Sequence, residues 1–198
     1  MSDKVILFGG SFDPPHIGHL LLGQWTAEIL GARVRFLPNG TPPHKEPRSS
    51  PAHRLQMLKL AAADNSCFAI DESELKAQTY QYTVDTLRRH HAQGVERDEL
   101  FFVLGSDSLN SLTTWREPEA IIQLCTLVVF QREPLSVQLV RSLQVQGAKL
   151  ITARAPILEI SSSLVRERVR LGKSIRYLVP DAVREYILTT RLYKEGKP

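Results

Sequence analysis

Residues 5–19 read VILFGGSFDPPHIGH: an apolar run, two glycines, a Pro-Pro step and the start of a segment with helical period. Strand, glycine turn and helix start in that order describe a βα unit whose turn can lie against a ligand. Gly9 and Gly10 let the backbone approach a bulky group. A helix N-terminus adds unpaired N–H groups and a positive dipole end, so the expected guest is an anion. Pro14 and Pro15 fix the chain just before the helix, and His16 and His19, three residues apart, can hold both imidazoles on one face above that anion. The combination suits a polyphosphate. Gly-Gly after a strand is also a common ligand-free turn. A zinc-binding His pair is disfavoured because no Glu follows His16 and the spacing is not four. A P-loop is disfavoured because no Lys-Ser or Lys-Thr closes the turn.

The remaining chain repeats the βα pattern. Segments at 34–37, 67–70, 100–104, 126–130 and 149–152 read as strands and alternate with helical segments of roughly ten residues, which argues for a doubly wound parallel α/β sheet in a single domain spanning 1–198. Leu21, Leu22, Trp25 and Ile29 recur at helical spacing and Gly31 stops that helix. Ser50 and Pro51 form a cap and first turn before a helix whose buried stripe is expected at Leu55, Leu58 and Ala62. Thr83 is positioned to cap the helix carrying Val84 and Leu87, which Gly94 ends. The continuous apolar run 100–104 reads as a central strand buried on both faces. It ends in Gly105, Ser106 and Asp107, a carboxylate that can serve either ribose hydroxyls or a helix cap.

Bulk properties narrow the class. A chain of 198 residues buries about 70% of its unfolded surface and needs no staple. Cys67 and Cys125 lie far apart in apolar context and read as thiols of a reducing, cytoplasmic compartment. There is no run of 18 apolar residues and no basic leader, so no membrane partner is expected. A net charge of +4 favours anionic small molecules and is weak support for nucleic acid, which is not expected as a partner. Nothing in the pattern reports oligomeric state.

Two further stretches carry chemistry. Residues 38–51 form a loop with five prolines and the basic pair His44 and Lys45, and the loop falls at the ligand edge of such a sheet. Residues 160–166, ISSSLVR, supply a cap and spare hydroxyls before the expected apolar stripe Leu164, Val165 and Val169. Arg166 and Arg170 are four apart, and Arg166 sits near the positive end of the helix. Both placements are mildly unfavourable unless an anion is bound there. A solvated basic helix remains the alternative.

GGSFDPPHIGH resembles the His-x-Gly-His signature of the nucleotidyltransferase superfamily, shared by phosphopantetheine adenylyltransferases, cytidylyltransferases and class I aminoacyl-tRNA synthetases. ISSSLVR is similar to the C-terminal Ile-Ser-Ser-(Ser/Thr)-x-x-Arg signature of bacterial nicotinate mononucleotide adenylyltransferases. Over 5–193 the chain resembles that family. The resemblance implies a Rossmann-like nucleotidyltransferase fold, with ISSSLVR and a structural terminal helix lying in 157–190. It also implies adenylyl transfer from ATP to nicotinate mononucleotide, giving deamido-NAD and pyrophosphate. It implies Mg2+ held by ATP phosphates, with no protein metal site. His16, His19 and Arg166 are then the catalytic candidates. The ATP-site candidates are those three with Gly9, Gly10, Ser11, Phe12, Gly105, Asp107, Ser161 and Ser162. The mononucleotide would meet Ser11, Phe12, His44, Lys45, Tyr82, Thr83, Trp115 and Arg116, with the indole stacked on the pyridine ring. Two positions depart from the family. Arg116 stands where relatives often carry Tyr, and Arg132-Glu133-Pro134 stands where an Arg-Pro-Gly turn is usual. Other nucleotidyltransferases, acting on nicotinamide mononucleotide or phosphopantetheine, are the nearer rivals. A non-catalytic nucleotide or RNA binder is the more distant one, and it has no need of two histidines and an arginine poised for charge stabilisation.

Overall fold

The computed structural model describes residues 4–40, 47–77, 80–131, 135–156 and 158–194. Six strands, β1 (Val5–Gly10), β2 (Val34–Pro38), β3 (Phe68–Ile70), β4 (Leu100–Gly105), β5 (Thr126–Phe130) and β6 (Lys149–Ala153), form one parallel sheet in the order β3-β2-β1-β4-β5-β6. The chain builds outward from β1 to β3, then returns to the other flank of β1 with β4. Where the order reverses, the connections leave in opposite directions and open a crevice beyond the carboxyl ends of β1 and β4.

Alternation along the strands sends side chains to two cores. Ile6, Phe8, Phe36, Phe101, Val103 and Val128 face one side, while Leu7, Leu37, Phe102, Leu104, Leu127 and Val129 face the other. β4 and β5 are buried along nearly their whole length, as expected for central parallel strands. The first side is covered by α1 (Ile17–Leu30) and α2 (Pro51–Ala62), the second by α3 (Thr83–Ala92), α5 (Pro118–Leu124) and α6 (Val137–Val145), with the short α4 (Ser106–Asn110) following β4. A third cluster joins Met57 of α2 to Val165 and Val169 of α7 (Ser162–Arg170) and to Val183 and Ile187 of α8 (Asp181–Thr189).

Three helix expectations are corrected. Ile29 is 46% exposed, because α1 turns Gly23, Thr26, Ala27 and Leu30 toward the sheet instead. A Cβ on Gly23 would stand 2.8 Å from Phe36. Leu164 is likewise exposed, and α7 buries only Val165 and Val169. Thr83 is not the cap of α3. Tyr82 occupies that position in extended backbone, and Thr83 is the first helical residue. Gly31 (φ +64) ends α1 as expected, and the Ser50 hydroxyl accepts from the His53 amide.

Candidate active site

β1 runs out through Gly9 and Gly10 into Ser11 and Phe12, then into a cis Asp13–Pro14 step that delivers the chain to α1. A Cβ on Gly9 would lie 3.1 Å from the Phe102 ring and one on Gly10 would lie 3.0 Å from the Phe12 ring, so packing as well as access favours glycine at both positions. His16 is the N-cap of α1, whose first turn carries no acidic residue. The His16 amide donates to Nδ1 of His19 at 3.1 Å, and the two rings stack. With Nδ1 as acceptor, the neutral His19 ring carries its proton on Nε2. Gly18 is small for a local reason. A Cβ there would sit 3.1 Å from Cε1 and Nδ1 of His16.

α7 is bolted to this turn. Ser162 Oγ donates to the Pro14 carbonyl at 2.8 Å, and Arg166 Nη1 donates to the Asp13 carbonyl at 2.6 Å while Nη2 reaches Ser163 Oγ at 3.0 Å. Ser161 is the cap, its hydroxyl accepting from the Leu164 amide. Arg170, whose charge would crowd Arg166, pairs instead with Glu167 at 2.6 Å. His19, Ser162 and Arg166, with Ser11 and Arg48, line a cavity of 560 Å3. Apart from the Asp13 carboxylate, its polar side chains can donate, the complement of phosphate oxygens.

Behind the cavity lies Arg54, fully buried, which the sequence pattern assigns to no role. Its Nη1 donates to the carbonyls of Ser11 (3.1 Å) and Asn39 (2.7 Å), and its Nη2 to that of Gly40 (2.8 Å). One guanidinium thus ties the exit of β1 to the exit of β2. Burial lowers its pKa, and the nearby Asp13 charge opposes that shift. The available signal was positional: Arg54 shares the i, i+3, i+4 stripe of Met57 and Leu58.

A second cavity of 280 Å3 opens beyond β1 and β4 and shares Ser11 with the first. Gly9, Gly10, Gly105, Thr83, Phe102 and Trp115 are among its walls. The indole of Trp115 meets Phe102 edge to face, with centroids 6.4 Å apart. It is half-buried, so one part is held by the core while another faces the opening. Glu74, another residue without a sequence signal, also lines this cavity. Its carboxylate is buried and accepts from Thr86 Oγ1 at 2.7 Å.

The two cavities bring together Gly9, Gly10, Ser11, Phe12, His19, Thr83, Gly105, Trp115, Ser162 and Arg166, with His16 stacked behind His19. Besides His16, four described candidates stand outside these linings: Ser161, the α7 cap, and Asp107, Tyr82 and Arg116. Asp107 is exposed in the first turn of α4, where Gly105 rather than Asp107 holds the N-cap position. Tyr82 and Arg116 pair with each other, the guanidinium 4.6 Å from the ring centroid, and Arg116 also lies 3.8 Å from Glu117. His44, Lys45 and Arg132 lie outside the described residues. Among the described residues no helix is long and apolar enough to cross a membrane.

Residues 7–168 match the cytidylyltransferase-like family. The chain is 38% identical over 198 residues to a "probable nicotinate-nucleotide adenylyltransferase" of Caldicellulosiruptor saccharolyticus, covering 97% of this chain and 100% of that protein. A protein of the same name from Exiguobacterium sibiricum is 42% identical over 192 residues, covering 96% and 98%. Among solved structures, the Plasmodium falciparum nicotinic acid mononucleotide adenylyltransferase complexed with NaAD superposes with a TM-score of 0.80 at 19% identity, covering 96% of each chain. The same protein complexed with APC gives 0.76 at 20% identity, over 96% of this chain and 97% of that one. At such identities the two structures establish the fold.

Proposed function

The chain belongs to the cytidylyltransferase-like family and, within it, to the nicotinate-nucleotide adenylyltransferases, and from that membership we propose how its residues pass the adenylyl group of ATP to nicotinate mononucleotide. The products are deamido-NAD and pyrophosphate. The observation that carries the assignment of residues is the meeting at Ser11 of a donor-lined cavity and an aromatic-walled one, which offers phosphates and a flat ring adjoining seats.

The attacking group is the mononucleotide's own phosphate, ionised at neutral pH, so the protein needs no general base. Its work is to place that oxygen in line with the α-phosphorus of ATP and to stabilise the charge that develops. His19, with Nδ1 occupied by the His16 amide, aims Nε2–H at the equatorial oxygens of the transition state. His16 and the amides at the start of α1 take the ATP phosphates, where the helix dipole favours negative charge. Arg166 and Ser162 receive the leaving pyrophosphate; Ser161, already the α7 cap, contributes through its place in the turn. Gly105 and Asp107 at the end of β4 serve the adenosine ribose. Thr83 and Trp115 hold the nicotinate ring, with Tyr82 and Arg116 forming the outer rim and His44 and Lys45 serving the mononucleotide phosphate.

ATP enters as its Mg2+ complex. Among the described residues no three His, Cys, Asp or Glu side chains converge as metal ligands. The imidazole, hydroxyl and guanidinium groups facing the phosphate cavity fit an ion carried in by the triphosphate. When bound, that ion would neutralise charge on the departing pyrophosphate.

The test is pyrophosphate release from MgATP in parallel reactions with nicotinate mononucleotide, nicotinamide mononucleotide and phosphopantetheine. Strong preference for the first is expected. Equal use of the two mononucleotides would keep the chemistry and remove the specificity, and release with phosphopantetheine alone would move the chain to another branch of the family.

A further inference from the structure

Asp13 sits inside the proposed catalytic turn and is only 3% exposed. Three donors converge on it from two distant parts of the chain. Oδ1 accepts from Ser49 Oγ at 2.5 Å and from Tyr193 Oη at 2.6 Å, and Oδ2 accepts from the Arg48 amide at 2.6 Å. The same residue's carbonyl accepts Arg166 Nη1. Asp13, Arg48 and Arg166 all line the phosphate cavity. A carboxylate beside a phosphate seat repels the substrate unless it is fully engaged, and here its engagement fixes the position of the groups around it.

We propose that Tyr193 is a positioning residue for adenylyl transfer, its phenol holding the Asp13 carboxylate so that Arg166 and the 47–49 loop face the phosphates in register. This rests on the function proposed above. Tyr193 follows α8 by four residues and adopts φ +62, as Arg191 adopts φ +56. Non-glycine residues hold such left-handed backbone only where surrounding contacts impose it. Here the turn they make leads the phenol to a residue 180 positions earlier in the chain. Burial raises the phenol's pKa and the Asp13 charge raises it further, so it remains a neutral donor at any working pH. Its other neighbours are Ser49 Oγ at 3.4 Å and Met57 Sδ at 3.8 Å, both weaker claims on the proton. Transfer demands close alignment, so losing the phenol donor is felt in the transition state more than in substrate binding.

A second tyrosine provides the control. Tyr186 in α8 shares a hydrogen bond of 2.8 Å with Nδ1 of His53 in α2, a comparable anchor of the same chain end that touches neither cavity. Tyr193→Phe is expected to lower kcat by roughly 5- to 20-fold with either KM changed less than about twofold. Tyr186→Phe should lower Tm about as much as Tyr193→Phe does, each losing one side-chain hydrogen bond, and leave kcat within about twofold. Should Tyr193→Phe fail to fold, Ser49→Ala removes the other Oδ1 donor without altering the C-terminal segment, and it is expected to show the same kcat loss. Parent-like kcat in the folded Tyr193 or Ser49 variant would overturn the proposal. An equal kinetic loss in Tyr186→Phe would also overturn it, by showing general loosening. An inactive parent would overturn the proposed function and this inference together, whereas an active parent with an unaffected Tyr193→Phe overturns only the inference.

Discussion

The rings of His16 and His19 stack with centroids 3.6 Å apart and planes 28° from parallel, while the amide of the first is bonded to Nδ1 of the second. The pair is therefore one rigid unit at the head of α1. The tautomer of its outer member is set by the backbone.

In the proposed mechanism, His19→Ala removes a donor to developing charge. The expected result is a fall in kcat of about 100-fold or more, since one such donor is typically worth roughly 3 kcal/mol. Stability should fall by only about 1 kcal/mol, the worth of a helix cap. Steady-state pyrophosphate release and a urea melt check the two numbers, and near-normal kcat would remove the role.

Gly18→Ala separates activity from folding in the opposite way. Its Cβ would lie 3.1 Å from two atoms of the His16 ring, which must then shift. Alanine is meanwhile the better helix former by up to about 1 kcal/mol. We expect Tm near that of the parent and kcat reduced by about tenfold or more. Full activity in a folded variant would show that His16 has slack.

Arg54→Met leaves three buried carbonyls without their donor. The expected cost is about 3 kcal/mol or more, or roughly 6–12 °C in Tm. Arg54→Lys keeps the charge and loses the fork that spans Ser11, Asn39 and Gly40, so it should fall between the two. A lysine variant as stable as the parent would show that charge, not geometry, joins the strand ends.

Burial pushes the Glu74 carboxyl up to about 7, with the nearby Asp71 charge adding to the rise and Thr86 and Arg89 opposing it. Between its ordinary value of 4.5 and about 7 the folded protein keeps a proton that the unfolded chain has released. Stability from this group is thus complete at low pH and is lost as pH rises through 7. Glu74→Gln does not titrate and should gain on the order of 3 kcal/mol over the parent at pH 8, with little gain at pH 4. Denaturant melts at the two pH values decide it; a difference that fails to grow with pH would contradict the shift.

The order of strands and helices was legible because the central strands β4 and β5 are nearly continuous apolar runs and helix stops such as Gly31 use residues with one evident purpose. That residues 9–19 and 160–166 carry the candidate site was legible from unusual residue types at fixed spacing, and the fold brings the two stretches to one cavity. What escaped were residues whose function depends on contacts across the chain. Arg54 is a basic residue that reads as solvated, and only the third dimension shows three carbonyls around it. Asp13 lies in the quoted motif, yet its donors come from residues 48, 49 and 193. The apolar type of Ile29 suggests burial, yet the face of α1 that meets the sheet is that of Gly23, Thr26, Ala27 and Leu30.

The bond from Arg166 to the Asp13 carbonyl spans 153 residues, and that from Ser162 to Pro14 spans 148. During synthesis the histidines leave the ribosome early and the arginine that faces them comes late. For most of translation the chain presents its imidazoles without the α7 serine and arginine that face them, so an unfinished chain lacks one wall of its proposed phosphate seat.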